Sequence, residues 1–262
     1  MELREVIGRR RSIRFLLPHK PVELEKIQRM LEAARLASHW GNVQSLRAIV
    51  VYRDEAPQEV LDALPSPVGG YQIQLAPVVI VWYIETASVD QIADRLRELV
   101  DAGAIGFGEN KRKALEEQLV PIFSAVGDAV KAPGMGEVDC GQGIAQATLM
   151  AFEQGLGTCC LGTANADRIR ERLGLPESCR VLLTQTVGYP AESPEAGGQR
   201  PRLPFEGLFQ LNRYNNPFPR SQDVVEELKR DDMLQDPAPL PWREAELEYL
   251  RKALGLEGDG LI

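Results

Sequence analysis

Residues 8–15 read GRRRSIRF, a run of positive charge in a chain with 38 acidic and 30 basic side chains and a net charge of -8. In an extended segment alternate side chains point the same way, so Arg10, Ser12 and Arg14 converge on one side while Arg11 and Ile13 face elsewhere. Guanidinium groups hold phosphate through bidentate, charge-assisted hydrogen bonds. A local basic cluster in an acidic protein points to a small anionic ligand. Generic nucleic-acid binding needs a broadly positive surface and is not expected here. Taken alone, the cluster also reads as a solvated basic stretch pairing with surface acids.

Three further segments carry donors. SHWGNVQS, 38–45, offers the amides of Asn42 and Gln44, which can meet the edge of a planar heterocycle or simply satisfy a polar loop. GLGTCCLGT, 155–163, is small and glycine-rich, so its backbone N–H groups can approach a ligand closely or form a cap and tight turn. QRPRLP, 199–204, repeats the alternation with Arg200 and Arg202. The common catalytic motifs G-x-S-x-G, G-x-x-x-x-G-K-[ST] and H-E-x-x-H do not occur, and no G-x-G-x-x-G follows a strand. The four cysteines contain no C-x-x-C pair, and the two histidines, His19 and His39, lie far from them in sequence, so no zinc site is expected. Reduced, buried thiols are expected instead.

The elements that must carry these groups follow from periodicity. Leu24, Ile27, Leu31 and Ala34 mark one stripe of a helix over 22–38. LRAIVVYR, 46–53, and APVVIVWYIE, 76–85, read as strands covered on both faces, with a helix at 57–64 between them. Residues 89–131 read as helical, interrupted at Pro121, and 132–139 as a loop. GQGIAQATLMAFEQG, 141–155, is apolar on nearly all sides and reads as a buried central helix. TCCLG is a short strand or turn, Asn165 caps a helix, and RVLLTQTVGYP is the last strand. The tail from 213 holds scattered prolines and one late helix in WREAELEYLRKAL. The sum is one α+β domain. The start shows no signal-peptide pattern, and the longest apolar run is too short to span a bilayer. No membrane partner is expected, and a cytoplasmic location is.

In order and spacing the four segments resemble the FMN-dependent nitroreductase family. RRSIRFLLPHKPV matches an Arg-Arg-Ser-x-Arg-x-Phe start, and LEAARLASHWGNVQSLRAIVV matches A-A-x-x-A-P-S-x-x-N-x-Q-P-W. GIAQATLMAFEQGLGTCCLG and VGYPAE followed by RPR complete the set. The resemblance implies a nitroreductase-like fold, a small mixed sheet flanked by helices, and an intertwined homodimer with FMN at the interface. It places that domain at 1–214, with 215–262 as an extension packed on the partner subunit. Arg10, Ser12, Arg200 and Arg202 match the phosphate site; Arg11 is counted in the cluster, although alternation turns it away. Arg14 and Gln72 match the ribityl chain and pyrimidine edge. Cys160 and Leu161 match one flavin face, and Gly162 and Thr163 match donors to the ring. Ser38 and Asn42 match positions reaching FMN from the other subunit.

The sequence departs from the pattern at Ala37-Ser38-His39 and Gln44-Ser45-Leu46, where a proline and a Pro-Trp pair are replaced. His39 and Trp40 are bulky additions expected to line a substrate pocket. The implied activity is NAD(P)H-driven, two-electron, ping-pong reduction of an electron-poor small molecule such as a nitroaromatic or quinone, with no side-chain nucleophile. Enone reduction, reductive dehalogenation, flavin breakdown and flavin binding without catalysis stay open.

Overall fold

The computed structural model describes residues 1–258. Helix α1, Leu3–Arg9, leads into an extended segment, and α2, Leu24–Arg35, follows. Its buried stripe is Ile27, Met30 and Ala34. Leu24, expected on that stripe, is exposed, and Val22 just ahead of the helix is buried in its place. Four strands follow: β1 Leu46–Tyr52, β2 Val78–Glu85, β3 Gly157–Gly162 and β4 Cys179–Gly188. Their order is β1-β2-β4-β3 and every pairing is antiparallel. The sheet expected to be mixed is therefore antiparallel in its four strands. A parallel bridge joins its outer edge, where Ser12 meets Thr158 and the Ile13 N–H donates to Thr158 O at 2.9 Å. Strand β2 is buried on both faces, as expected, whereas β1 is an edge strand and only half-buried.

One sheet face presents Val78, Ile80 and Trp82 to α2 and to a long helix, Met135–Glu153. The opposite face buries Val79 and Val81 with Ile13, Leu64, Ile73 and Ile169. A buried polar chain crosses the first face: Trp82 Nε1–H donates to Gln185 Oε1, and Gln185 Nε2–H donates to Thr148 Oγ1, each at 2.8 Å. Every buried polar atom in that chain thus finds a partner.

The stretch 89–131 is helical in pieces. Ile92–Asp101 is followed by short helices over Lys111–Ala125, broken by a π-turn at Leu115–Leu119, and by Gly127–Lys131. Pro121 lies in the first turn of Val120–Ala125, where its missing N–H is harmless. The long helix starts at Met135, inside the expected loop. Glu137 explains this: one carboxylate oxygen accepts the Gly134 N–H at 2.7 Å, and the other engages Arg180 of β4. Nor is this helix buried all round. Cys140, Gly143, Ile144 and Ala147 face the core, whereas Val138, Gly141, Gln142, Ala145 and Gln146 are exposed.

The tail carries helices Gln222–Arg230 and Arg243–Ala253. The second, expected on a partner subunit, packs on its own chain: Leu250 joins Phe15 and Leu75, with Tyr71 beside them. Residues 203–220 by contrast leave Leu203, Phe209, Tyr214 and Phe218 exposed. No helix among the described residues is long and apolar enough to cross a membrane.

Gly157 sets how closely the N-terminal segment approaches the sheet. A Cβ there would lie 2.8 Å from both Cβ and Cγ2 of Ile13. Both atoms belong to a buried, β-branched side chain that has few rotamers to move into. Gly157→Ala is expected to cost about 1–3 kcal/mol, read as a lower urea midpoint at unchanged m-value.

Candidate functional site

The open edge of β3 gathers the first basic cluster. The bridge at Ser12 holds residues 10–14 extended along the strand, and alternation then sorts their side chains. Ile13 is buried in the core, while Arg10, Ser12 and Arg14 are half-buried. Arg11 is buried on the opposite side, where its guanidinium donates to Gly8 O, to Arg10 O at 3.0 Å and to Gln235 Oε1 at 2.6 Å. Burial, followed by repulsion from Arg10 and Arg200, pulls Arg11 below its ordinary pKa. Two of its guanidinium nitrogens thus serve the protein, away from the face shared by Arg10, Ser12 and Arg14, while Nε is buried without a partner.

The second basic pair comes to the same place across about 190 residues. Arg200 is pulled below its ordinary pKa by burial first and then by Arg14 and Arg243, which puts these cations within reach of one another. Arg200 donates to Ala196 O at 2.8 Å, Arg202 to Pro201 O at 3.1 Å and Arg14 to Ser12 O at 3.3 Å. Among the described residues none of Arg10, Arg14, Arg200 and Arg202 pairs with a carboxylate, in a chain with an excess of acids. Arg4 and Arg9, a few residues away, do pair with acids.

A cavity of about 610 Å³ opens beside Arg14 and Arg200; Gly69, Tyr71, Gln72 and Arg251 also line it. Gln72 is 6% exposed, and its Oε1 is buried without a hydrogen-bond partner. Gly69, at φ +74°, makes room: a Cβ there would sit 2.9 Å from Gln72 Nε2 and 3.5 Å from Leu161 Cδ2. Leu161 of β3 therefore lies against Gly69. Cys160 and Gly162 are exposed on the strand, and a Cβ on Gly162 would meet nothing, so that backbone faces open space. Thr163, just past the strand, is half-buried. Cys159 points inward, and burial pushes its thiol above the ordinary value against the opposing pull of Arg14. It packs as a neutral thiol.

The segment 38–42 lies elsewhere. Trp40 stacks on Phe123 with centroids 4.8 Å apart, and its N–H donates to Asp139 Oδ2 at 2.6 Å. His39 Nδ1 meets Ala37 O at 3.0 Å, leaving Nε2 buried without a partner. Ser38 is exposed, and Asn42 is half-buried at φ +56°. This segment enters β1 at Leu46, whereas Ser12 sits level with Thr158, Val187, Val78 and Tyr52. The two groups therefore occupy diagonal corners of the sheet, roughly 19 Å apart across the strands and roughly 20 Å along them. Within one chain, Ser38, His39, Trp40 and Asn42 do not meet the arginine cavity.

Sequence reasoning missed Tyr71, Glu192, Arg243 and Arg251. Glu192 stands inside the quoted VGYPAE, and its charge between two basic segments was the available signal. Nothing local marks Arg243 or Arg251, because they reach the site by folding of the tail.

Relatives and solved structures resemble this chain in sequence and fold. An NADH dehydrogenase of Thermus thermophilus is 33% identical over 199 residues, covering 76% of this chain and 90% of that protein. A nitroreductase from Exiguobacterium sibiricum, solved in complex with FMN, shares the fold with a TM-score of 0.62 at 21% identity, over 81% of this chain and 98% of that one. An NAD(P)H:FMN oxidoreductase of Staphylococcus epidermidis superposes with a TM-score of 0.66 at 18% identity, over 80% of this chain and 95% of that one. The sequence profile of the nitroreductase family matches residues 7–189, and with that match covering most of its length the chain belongs to the nitroreductase family.

Proposed function

We propose that this protein is a flavin oxidoreductase that holds FMN in the arginine-lined cavity and uses NAD(P)H to reduce an electron-poor small molecule such as a nitroaromatic or quinone. The observation that carries the reading is the pairing of acid-free arginines with a buried, unpartnered Gln72 Oε1 at one cavity. A buried acceptor without a donor costs about 1–3 kcal/mol, and the imide N–H on the pyrimidine edge of a flavin is the donor it lacks. Arg10, Ser12, Arg200 and Arg202 would take the phosphate, and Arg14 with Gln72 the pyrimidine edge. Leu161, Gly162 and Thr163 would meet the ring. Bound there, FMN would supply two-electron redox chemistry between nicotinamide and acceptor.

The chain's own residues bind, orient and exclude water. The positive charge of Arg14 and Arg200 favours an electron-rich guest at the pyrimidine edge. The diagonal placement of Ser38 and Asn42 supports a homodimer in which they meet the partner's cavity, bringing His39 and Trp40 beside the acceptor. The exposed face of the long helix Met135–Glu153 supports the same assembly.

FMN titration by fluorescence quenching, followed by NADH and NADPH oxidation with a nitroaromatic or quinone acceptor, tests the proposal. A protein that takes up no FMN overturns it. One substitution separates site from scaffold. Gln72→Met removes the orphaned oxygen, so the apoprotein is expected to gain about 1 kcal/mol of stability while FMN binds roughly tenfold more weakly. Unchanged affinity would remove Gln72 from the site.

A further inference from the structure

The cavity is completed by a part of the chain that lies beyond residues 7–189. Residues 235–240 run beside 197–199, directly ahead of Arg200. The Gln199 N–H donates to Asp236 O at 2.9 Å, the Ala238 N–H to Gln199 O at 2.8 Å, and the Leu240 N–H to Gly197 O at 2.8 Å. Gln235 accepts from Arg11, and its own N–H donates to Gln199 Oε1 at 3.1 Å. The tail thereby touches both basic segments at once.

Arg243 extends the grip. Its side chain crosses Gly197, where a Cβ would lie 2.6 Å from Arg243 Cδ. It then pairs with Glu192 Oε2 at 2.7 Å and Glu246 Oε2 at 2.6 Å. The other Glu192 oxygen accepts the N–H groups of Arg14 at 2.5 Å and Phe15 at 3.0 Å. The Glu192 side chain is 0% exposed and that of Arg243 11%. Glu192 is thus a buried carboxylate close to three cations, Arg14, Arg200 and Arg243. A carboxylate paired with Arg243 is not available to the other two. Without Arg243 the uncompensated charge would draw in Arg14 or Arg200, since an unpaired buried charge takes the nearest partner.

We propose that residues 235–254 position the FMN site of their own subunit, with Arg243 as the positioning residue. It occupies Glu192, which frees Arg14 and Arg200 to face the cavity, and it fixes the loop that carries Arg200. This rests on the FMN reading above. The family's matched region ends before this element, so the device belongs to the tail of this chain.

The test is FMN affinity by fluorescence quenching on the full chain. Four proteins are compared: wild type, R243Q, the double variant E192Q/R243Q and M30A. Met30 is buried on the far sheet face and serves as the control for lost stability. R243Q is expected to bind FMN at least about tenfold more weakly, the equivalent of one charge-assisted contact. E192Q/R243Q removes the stray carboxylate while an amide oxygen still accepts the two N–H groups, so its affinity is expected to return to within about threefold of wild type. M30A is expected to lower the melting temperature and leave FMN affinity unchanged. Wild-type affinity in R243Q overturns the proposal, as does a double variant no better than R243Q. If R243Q does not fold, R243K carries the test: it keeps the charge, loses the fork, and is expected to bind FMN more weakly, with equal affinity overturning the proposal. A wild-type protein that ignores FMN sinks the functional reading instead, before any variant is compared.

Discussion

Arg10→Ala is expected to weaken FMN binding by roughly 10- to 100-fold, the range set by losing one hydrogen-bonded charge contact of about 1.5–3 kcal/mol. Arg10 is half-buried on the face it shares with Ser12, in a cluster where Arg200 and Arg202 also lie within Coulombic reach of Arg11. A phosphate dianion placed there would relieve the mutual repulsion of these arginines, none of which pairs with a carboxylate among the described residues, Glu195 being only within Coulombic reach of Arg11. The loss should shrink as ionic strength rises, because partly exposed charges are screened over a Debye length of about 10 Å at 0.1 M salt. Arg11→Met is expected to behave differently. Its guanidinium holds Gly8 O, Arg10 O and Gln235, so the loss falls on stability, at about 1–3 kcal/mol, with FMN affinity changed far less. Calorimetric titration of both variants at two salt concentrations reads the contrast. Equal loss of affinity in the two would mean that alternation along the 10–14 segment does not sort ligand contacts from scaffold.

That contrast was legible in the sequence because it needs only the period of an extended segment. The same holds for three of the four strands and for the turn at Gly155, whereas TCCLG read as either strand or turn and the stripe at 24–35 wrongly included Leu24. What stayed hidden depends on partners far away in the chain. The helix that begins at Met135 looks like a loop locally, since Pro133, Gly134 and Gly136 crowd its start. Glu137 holds that start by accepting the Gly134 N–H while Arg180 of β4 engages its other oxygen. Glu137 is the more telling because burial alone would raise its pKa, yet Arg180 and the Gly134 N–H bring it below the ordinary value. Its contribution to stability is therefore present above the unfolded carboxylate range and lost as pH falls through the folded one. Gln72 was placed only loosely by sequence, yet its orphaned oxygen is the most specific feature of the cavity. The wall of the cavity built by Arg243 and Arg251 was not legible at all. No spacing rule connects residue 192 to residue 243, and the resemblance placed the tail on the partner subunit. Burial of Leu250 against Phe15 and Leu75 overrides that placement.

Glu192→Leu is expected to be the most destabilising single change, at about 3–5 kcal/mol, the range for breaking a buried ion pair by removing one partner. The N–H groups of Arg14 and Phe15 lose their acceptor, and Arg243 loses its ion-pair partner. Leucine fills similar space, so the loss is one of polar partners and not of packing. Glu246 still holds one side of Arg243, which keeps the effect from the top of the range. The exposed pairs, Arg95 with Glu98 or Lys252 with Glu248, are screened by water and contribute little by comparison. For a chain of this size the loss corresponds to a melting temperature lower by roughly 6–10 °C. Glu192→Gln should fall well short of that, because an amide oxygen still accepts the two backbone N–H groups. Thermal unfolding of the apoprotein, followed by far-ultraviolet circular dichroism, orders the three proteins: wild type, then Gln, then Leu. A Leu variant melting within about 2 °C of wild type, equivalent to less than about 1 kcal/mol, would show that the carboxylate is dispensable to the fold. The tail would then be held by the Leu250 cluster and the hydrogen bonds of residues 235–240, and the pairing of Arg243 with Glu192 would contribute little.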